Sequence, residues 1–530
     1  DPRMACHIQF LYHSEMTMIN IVDRLCPLDL IRFGLTCKSA HHLSKKCRTA
    51  ITTKKIQFYM DYPNITSVDL SLIDGSHNAE VTFPPSTRDI TAYAIRFAPG
   101  SLPRMATDLI VESLADFDFP QLERLNIDYF DLKSAQQMPA LRELLVGDLC
   151  FIPTDVFPPN LTKLSIDSTP GWLATCESAK FMPRSLTELG ITFSQPSHTN
   201  GWMMRDLPVG LRKLRITSDS YVIQKDDVIN PNLKELGFWV PVLTKTSCTN
   251  MHKFPRDLEY LDFTLDHSYH ITRALAANTM AIELLKLPKR LTTLIMNASV
   301  FENSMLFALP KTITRLEIES PPSEFPITVK FLPQNLTSLR FSSVYDGCLI
   351  KSSDIPRLPR TLTYLSGISI SYDGGLLDKR VADFGHLIGL EMLKYNCDDS
   401  IEVLLPDNLL RLYTNYLPKQ LPRHLEYISV TQSLGPQEIK RLPEGLQTIT
   451  AEGFNCPEGV KFPPRILAIH SRYISKVHWS CFPLTAEECS MNFSSDHDGI
   501  MYKRVETIDK IEWVMREPGN VMNVSSEEDD

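Results

Sequence analysis

Pro158-Pro159-Asn160-Leu161-Thr162-Lys163-Leu164-Ser165-Ile166 is the stretch that decides the fold of this 530-residue chain. Its pattern, Pro-x-x-Leu-x-x-Leu-x-Ile, recurs with variations along the sequence. Full copies begin at Pro158, Pro183, Pro208, Pro255, Pro288, Pro310, Pro333, Pro359, Pro406, Pro422, Pro443 and Pro463. Shortened copies, with one residue fewer between the proline and the first apolar residue, begin at Pro63, Pro120, Pro139 and Pro231. The usual step of about 19 to 26 residues predicts a solenoid of stacked, similar units.

Within one unit, alternate residues fall on opposite sides of an extended segment. Leu164 and Ile166 share one side, and Lys163 and Ser165 share the other, which is the period of two expected of a half-buried strand. A single strand cannot bury its apolar side alone. Stacked copies are therefore expected to pair as a parallel sheet over a column of leucines. The connecting segments are expected to return as loops, short helices or 3₁₀ turns.

The repeats resemble leucine-rich repeats of a proline-led variety. The wording of residues 332–341, LPQNLTSLRF, is similar to FNIP-type repeats. This resemblance covers roughly residues 61 to 493 and implies an α/β solenoid, a leucine-rich-repeat array with a parallel sheet on its concave face. The asparagine or cysteine that forms a ladder in standard repeats is replaced by residues such as Thr169, Ser194 and Asp219. We therefore expect turns that are less regular than in standard repeats.

The bulk composition excludes several classes of protein. The apolar fraction of 43% and the charged fraction of 22% are typical of globular proteins. A net charge of −9 provides no general attraction for nucleic acid, so we expect no nucleic-acid partner. There is no run of apolar residues long enough to span a bilayer, so we expect no membrane association.

The 12 cysteines occur singly, without C-x-x-C pairs. Scattered thiols of this kind suit a reducing compartment. The first residues also lack a basic segment followed by an apolar stretch and a cleavage site. These observations predict a cytoplasmic or nuclear protein, or both.

The segment from Met16 to Leu43 precedes the repeats and has helical periodicity. Met18, Ile21, Val22 and Leu25 keep the spacing of one helix, Pro27 interrupts it, and a second helix follows. Two such short helices cannot bury both of their faces. One face is expected to pack on a third helical piece, from about Lys38 to Arg48, or on a partner.

This segment resembles the F-box, the module that docks on the Skp adaptor of cullin-based ubiquitin ligases. The residues that carry the resemblance are Ile21-x-x-x-Leu25-x-Pro27-x-Asp29-Leu30, followed by Leu35-Thr36-Cys37-Lys38. The resemblance implies a Skp adaptor and a cullin scaffold as partners. It also implies an adaptor-binding set, namely Ile21, Leu25, Pro27, Asp29, Leu30 and Leu35. The alternative is a helical cap that closes the apolar end of the solenoid.

Motifs for catalysis are missing from the sequence. It contains no P-loop, no Gly-x-Ser-x-Gly elbow, no His-Glu-x-x-His and no dinucleotide fingerprint. Cys397-Asp398-Asp399 is similar to the Cys-x-Asp nucleophile of bacterial repeat-bearing ubiquitin ligases, but repeats continue on both sides of it. We therefore expect a non-catalytic binding protein without a cofactor or a metal ion.

The strand positions between the leucines are left for recognition. Lys163, Lys213 and Arg215 are too few for a nucleic-acid surface. Tryptophan, tyrosine and arginine most often anchor protein interfaces. The substrate-binding set predicted on this basis is Trp239, Tyr260, Arg315, Arg340, Tyr364, Arg411, Tyr413 and Tyr427. The alternative for the same positions is a merely solvated sheet face.

The predicted organisation has five parts. An N-terminal extension (1–12) precedes the F-box-like helical segment (13–50) and the solenoid (61–493). A helical cap (494–520), with a helix from Tyr502 to Glu517, and an acidic disordered tail (521–530) follow. The predicted function is the substrate-recognition subunit of an SCF-type ubiquitin ligase, whose repeats bind an unknown protein. The alternative is a repeat-based binding scaffold with no link to ubiquitin.

Overall fold

The chain forms two compact units, Asp1–Pro241 and Val242–Asp530. The computed structural model describes residues 49–52, 65–69, 83, 86–92, 97, 102–114, 118–131, 137–150, 157–169, 182–193, 207–218, 229–239, 254–265, 284–298, 303–319, 327–342, 347–373, 380–477, 481, 488–492, 499–507 and 510–516. The predicted N-terminal extension, residues 13–48 of the F-box-like segment and the acidic tail lie outside these residues.

The described part of the first unit is a parallel sheet in which strands pair in the order of the sequence. Its strands are β1 (Thr49–Thr52), β2 (Ile65–Asp69), β3 (Asp89–Ala92), β4 (Asp108–Val111), β5 (Arg124–Asp131), β6 (Glu143–Cys150), β7 (Lys163–Thr169), β8 (Glu188–Phe193), β9 (Lys213–Ser218) and β10 (Glu235–Trp239). Thr49 and Ala50, the last two residues of the predicted F-box-like segment, belong to β1, which begins directly after the helical piece predicted to end at about Arg48.

The second unit continues the same architecture. Its strands are β11 (Tyr260–Leu265), β12 (Thr293–Ala298), β13 (Arg315–Glu319), β14 (Ser338–Ser342), β15 (Cys348–Lys351), β16 (Tyr364–Ser371), β17 (Val381–Asp383), β18 (Met392–Cys397), β19 (Glu402–Leu404), β20 (Arg411–Thr414), β21 (Tyr427–Val430), β22 (Ser433–Leu434), β23 (Thr448–Cys456), β24 (Ala468–Val477), β25 (Glu488–Asn492), β26 (Gly499–Thr507) and β27 (Lys510–Arg516). Strands β17 and β19 form a separate parallel pair, and the main sheet is parallel from β11 to β25.

Helices are short in the described residues, as the solenoid prediction allows. They are α1 (Asn303–Ala308), α2 (Pro436–Lys440) and the 3₁₀ helices Val329–Phe331 and Ser352–Arg357. Each lies between two strands of the sheet in sequence. The fold is therefore a parallel-sheet solenoid with little helix, which confirms the predicted class.

The predicted C-terminal helix from Tyr502 to Glu517 is wrong. Residues 499–507 and 510–516 form the antiparallel strands β26 and β27, and β26 pairs with β25. The same apolar residues also fit a strand, because Ile511, Trp513 and Met515 alternate with polar neighbours or a small aliphatic one. The open edge of β25 supplies hydrogen-bond partners that a helix would leave unpaired.

A β-turn before the strand of a repeat copy explains both spacings of the repeat. In a full copy, the Leu161 N–H donates to the carbonyl of Pro158 (N···O 3.2 Å). In a shortened copy, the Leu141 N–H donates to the carbonyl of Met138 (3.1 Å), so Pro139 stands second in the turn. The fixed φ of proline suits that second position. The two spacings therefore place the leucine at the same point of the same turn.

The turn before β18 contains no proline. The Leu390 N–H donates to the carbonyl of Leu387 (3.0 Å), and β18 follows directly. The proline pattern missed this copy, which lies in the long interval between Pro359 and Pro406. The short step from Pro406 to Pro422 also has an explanation, because β20 and β21 pair directly through a short connection.

The alternation predicted for the strand of the repeat is confirmed in β7. Leu164 is 1% exposed and Ile166 is fully buried, while Lys163 and Ser165 are half-buried. In the second unit, Leu294, Leu316 and Leu339 are in register and buried. Burying one leucine contributes about 1.5–3 kcal/mol. The leucine column is thus the main source of stability within each unit.

Candidate protein-binding face

The six residues predicted to hold an adaptor, from Ile21 to Leu35, lie outside the described residues. The described residues nearest to them in sequence are Thr49–Thr52, which form β1. This strand pairs in parallel with β2, the first strand to follow it. The segment that precedes the repeats therefore joins the sheet through backbone hydrogen bonds.

The outer face, on the side of the sheet opposite the leucine column, carries two rows of side chains in the second unit. Strand register defines them, because partner residues lie side by side in a sheet. The first outer row is Tyr260, Thr293, Arg315, Ser338, Tyr364, Met392, Arg411, Tyr427 and Thr448. The second outer row is Asp262, Ile295, Glu317, Arg340, Ser366, Lys394, Tyr413, Ser429 and Thr450.

Seven of the eight residues predicted to bind substrate lie in these two rows. Arg340 and Tyr413 belong to the second outer row, and the other five belong to the first. Trp239 lies in the first unit, where it is the last residue of β10 and pairs with Thr217 of β9. The candidate face therefore belongs to the second unit.

Glu317 is a buried acid on this face, with 5% of its surface exposed. The Arg340 Nη1 lies 3.3 Å from Glu317 Oε1, and the Arg315 Nη2 lies 3.5 Å from Oε2. The Ser342 hydroxyl donates to Oε1 at 3.4 Å. Two of the predicted contact residues are thus engaged with one carboxylate, which desolvation would otherwise strongly disfavour.

Two further acids, Glu319 of β13 and Asp262 of β11, lie on the same part of the sheet. Burial raises the pKa of the Glu319 carboxyl, and the charges of Asp262 and Glu317 raise it further. The Tyr260 hydroxyl lies 3.5 Å from Asp262 Oδ2, which accepts its hydrogen bond. The outer face is therefore acidic from β11 to β13.

Tyrosines occupy the opposite part of the face. The rings of Tyr413 and Tyr427 lie 5.0 Å apart, centroid to centroid, at an interplanar angle of 35°. Burial raises the pKa of Tyr413, and its neighbour Tyr427 raises it further, so the phenol stays neutral and can donate a hydrogen bond. Both rings are half-buried. They form a fixed aromatic surface across β20 and β21.

Two cations of the face have no acidic partner in the described part of the chain. Lys394 of β18 and Arg411 of β20 are exposed, and neither forms an ion pair with a described residue. Arg411 was predicted as a contact residue, whereas Lys394 was missed. Their positive charges remain available to a ligand.

A bulge in β16 directly follows the second outer row, on the strand between the arginine pair and these cations. Ser366 pairs with Lys394 and Ile368 pairs with Tyr395, so Gly367 is an extra residue. Gly367 has a φ of 76°, in the left-handed region, and a Cβ atom there would overlap the carbonyl oxygen of Phe341. Only glycine fits this site without strain.

A pocket of about 490 Å³ opens on the outer face at this bulge. It spans β14, β16, β18 and β20. Little side-chain volume fills its floor, because the side chain of Ser366 is small and Gly367 has none. None of its described lining residues is acidic, and the neighbouring Asp346 lies outside the described residues. The lining residues that bear hydrogen-bonding or charged groups on the outer rows are Arg340, Tyr364, Ser366, Lys394 and Tyr413.

Cys397, near this pocket in sequence, lacks the character of a nucleophile. Burial raises the pKa of its thiol to about 11, and the charges of Asp398 and Asp399 add to the shift. A reactive cysteine needs a lowered pKa. The described residues also contain no group of three or more His, Cys, Asp or Glu side chains placed to hold a metal ion.

Sequence reasoning missed Glu317, Ser366 and Lys394. Lys394 follows the turn that lacks a proline, so its strand was not recognised as a repeat. Its spacing from Leu390 and Leu393 is nevertheless that of every other copy, and a search for leucine spacing alone would have found it. The role of Glu317 depends on its two arginine neighbours, which only the register reveals.

The comparisons with known proteins separate the two parts of the chain. The family model for the F-box domain matches residues 17–52. A search of curated proteins found no match. Proteins that combine an F-box with leucine-rich repeats are typically non-catalytic binding proteins. Within the described residues, no helix has the length and apolar character needed to cross a membrane.

Two solved structures are similar to this chain. One is the crystal structure of CroV588, described as a novel circular LRR protein structure; it is 18% identical, covers 88% of this chain and 71% of its own, and has a TM-score of 0.38. The other is the functional domain of InlJ from Listeria monocytogenes, which includes a cysteine ladder. It is 12% identical, covers 77% of this chain and 80% of its own, and has a TM-score of 0.30.

Proposed function

We propose that this protein is the substrate-recognition subunit of a cullin-based, SCF-type ubiquitin ligase. The observation that carries the proposal is the F-box match at residues 17–52, directly before a parallel-sheet solenoid. The N-terminal helices would hold the Skp adaptor, and the outer face of the repeats, of FNIP-like type, would hold a protein substrate. Cysteines that occur singly, without C-x-x-C motifs, fit a cytoplasmic or nuclear ligase.

The mechanism would be proximity. Such a receptor raises the effective concentration of a substrate lysine near the conjugating enzyme and forms no bond itself. The pairing of β1 with β2 supports this role, because the end of the F-box-matched segment is hydrogen-bonded to the first repeat strand. An adaptor bound there would be fixed relative to the first repeats rather than tethered by a free linker.

The same pairing favours one alternative. A strand that covers the edge of β2 also shields it from solvent, as a cap of the solenoid does. In that case the chain would be a repeat-based binding scaffold, and its N-terminal segment would have no adaptor to bind.

A pull-down with purified Skp adaptor separates these two functions. We expect the intact chain to retain the adaptor and Leu25→Asp with Leu30→Asp to abolish retention, because both leucines lie in the F-box-like segment. Leu467→Asp is the matched control, since Leu467 is an exposed leucine of the second unit. A folded wild-type chain that does not retain the adaptor would show that the ligase function is wrong.

A further inference from the structure

The outer-face pocket at the β16 bulge has the chemistry of an anion site. We propose that it binds an acidic side chain, a phosphate or a carboxylate, of an extended segment of the protein substrate. This inference rests on the proposed function, since it names the kind of substrate that the repeats would take. The pocket is lined by Arg340 and Lys394 and by no described acid, in a chain whose net charge is −9.

The register places the two cations on either side of a gap. Arg340, Ser366 and Lys394 are consecutive in the second outer row, on β14, β16 and β18. Neighbouring strands lie about 4.8 Å apart, so the two cationic residues are separated by about 10 Å at their backbones. Side chains as long as these reach a common point above a serine. An anion bound there would receive charge-assisted hydrogen bonds from both.

The bulge creates the space for such a group. Gly367 is the extra residue of the bulge, between outward Ser366 and buried Ile368, and it contributes no side chain to the pocket that it lines. Its left-handed conformation excludes any larger residue, because a Cβ atom would overlap the carbonyl oxygen of Phe341. The cleft above Ser366 is therefore built into the backbone and does not depend on a flexible side chain.

Arg340 and Lys394 have different roles in this site. Arg340 is held by Glu317 at 3.3 Å, which fixes its guanidinium while about half of its side chain remains exposed. Lys394 has no ion pair in the described part of the chain, so its charge is uncompensated there. The hydroxyls of Tyr364 and Tyr413, both on the pocket wall, are further donors.

The surroundings favour a peptide over a free small anion. Tyr413 lines the pocket and also stacks on Tyr427, whose ring lies on the next strand outside the pocket. This aromatic surface continues the contact area beyond the anion site. Tyrosine pairs of this kind are typical anchors for polypeptide partners.

The test uses the purified full chain and four pools of fluorescein-labelled, otherwise degenerate nine-residue peptides. Their central residue is phosphoserine, phosphotyrosine, glutamate or glutamine. We expect at least one acidic pool to bind about tenfold more tightly than the glutamine pool. Binding of phosphorylated pools alone would indicate phosphate, and equal binding of the glutamate pool would show that a carboxylate suffices.

Variants at Lys394 identify the pocket. We expect Lys394→Glu to lower binding of the acidic pool to the level of the glutamine pool, and Lys394→Arg to preserve the preference. Lys461→Glu is the control for charge, because Lys461 is exposed in the connection between β23 and β24. Thermal unfolding of each variant verifies that it is folded.

Three results would overturn the proposal. They are equal binding of the glutamine pool, a preference that survives Lys394→Glu, and binding of inorganic phosphate without any preference among the peptide pools. Adaptor retention is measured on the same samples. Retention without a pool preference contradicts the pocket alone, whereas a pool preference without retention contradicts the ligase function alone.

Discussion

The shared carboxylate of Glu317 shows how single residues on the outer face depend on one another. Arg315 lies on β13 itself and Arg340 lies on the neighbouring strand β14, and both compensate the same buried charge. Either arginine alone can still pair with Glu317. Losing both would leave an isolated charge that is 5% exposed.

We therefore predict that Arg315→Ala and Arg340→Ala are not additive. Each single variant should lower the free energy of unfolding by less than about 1 kcal/mol. The double variant should cost about 1–3 kcal/mol more than the sum of the two, because Glu317 is then unpaired. Urea unfolding of the four proteins measures this coupling. Simple additivity would mean that Glu317 is hydrated rather than held by the arginines.

A pH dependence is expected from Glu319. Because burial and nearby acids raise its pKa above the ordinary value of 4.5, the folded state holds this proton to a higher pH than the unfolded chain does. The stability from this group is complete below the ordinary pKa and is lost as pH rises through the raised pKa. Glu319→Gln should therefore be more stable than the wild type at neutral pH and equal to it in acid.

Urea unfolding between about pH 4 and 8 measures this difference. Glu458→Gln, which changes an exposed glutamate in the turn before β24, is the control and should follow the wild type throughout. If Glu319→Gln were less stable than the wild type at neutral pH, the carboxylate would be making a favourable contact and the assigned cause would be wrong.

Individual residues also show how much of a site can be predicted from a sequence. Alternation was enough to place Arg315, Tyr364 and Arg411 among the outward residues. It could not show that Arg315 is paired, because the partner arises from strand register and not from spacing along the chain. Which predicted residues bind substrate stays a prediction.

Threonines at the starts of strands form a ladder of hydrogen bonds that stabilises the pairing of neighbouring strands. In the second unit, the Thr314 hydroxyl donates to the carbonyl of Thr292 (3.3 Å), that of Thr337 to Thr314 (3.1 Å) and that of Thr363 to Thr337 (3.1 Å). The sequence lacks the asparagine or cysteine ladder of standard repeats. These hydroxyls supply a different ladder at the opposite end of the repeat phrase, where the turns are regular.

The asparagines of the repeat phrase have a related role. The Asn160 amide donates to the carbonyl of Pro139 (3.0 Å), and that of Asn408 to the carbonyl of Ile388 (3.0 Å). Each bond joins one turn to the turn before it. Asn160-Leu161-Thr162 is also a glycosylation sequon, but these contacts give both polar residues a structural reason.

The bulge in β16 should be intolerant of any side chain at Gly367. We expect Gly367→Ala to lower the free energy of unfolding by about 2–4 kcal/mol, because φ is positive and a Cβ atom would overlap Phe341. Gly389→Ala is the matched control, since a Cβ atom there lies 3.9 Å from its nearest neighbour, the carbonyl oxygen of Leu362. Equal stability of the two variants would contradict the assigned backbone geometry.

The elements also show where sequence reasoning fails. Period-two alternation identified the strands of the array because each buries one face against the leucine column. At the C-terminus, apolar residues such as Ile508 and Ile511 suited helical spacing, and the antiparallel pair β26–β27 forms instead. Edge pairing depends on a neighbouring strand that a local pattern does not contain.

At the scale of the whole molecule, the proposed function divides between two parts of the chain. The leucine column was fully predictable, because a repeated pattern leaves only one way to bury the same residues in every copy. Recognition by the N-terminal segment depends instead on the residues matched by the F-box family model. The link to ubiquitin therefore rests on those residues and not on the solenoid.

Isothermal titration of the intact chain with purified Skp adaptor tests the proposed ligase function. We expect one adaptor per chain, with a dissociation constant below about 1 μM, and no heat of binding for Leu25→Asp with Leu30→Asp. Leu467→Asp should bind as the wild type does. A folded wild-type chain that gives no binding heat, and no complex by size-exclusion chromatography, would contradict the ligase function and leave the binding scaffold as the function.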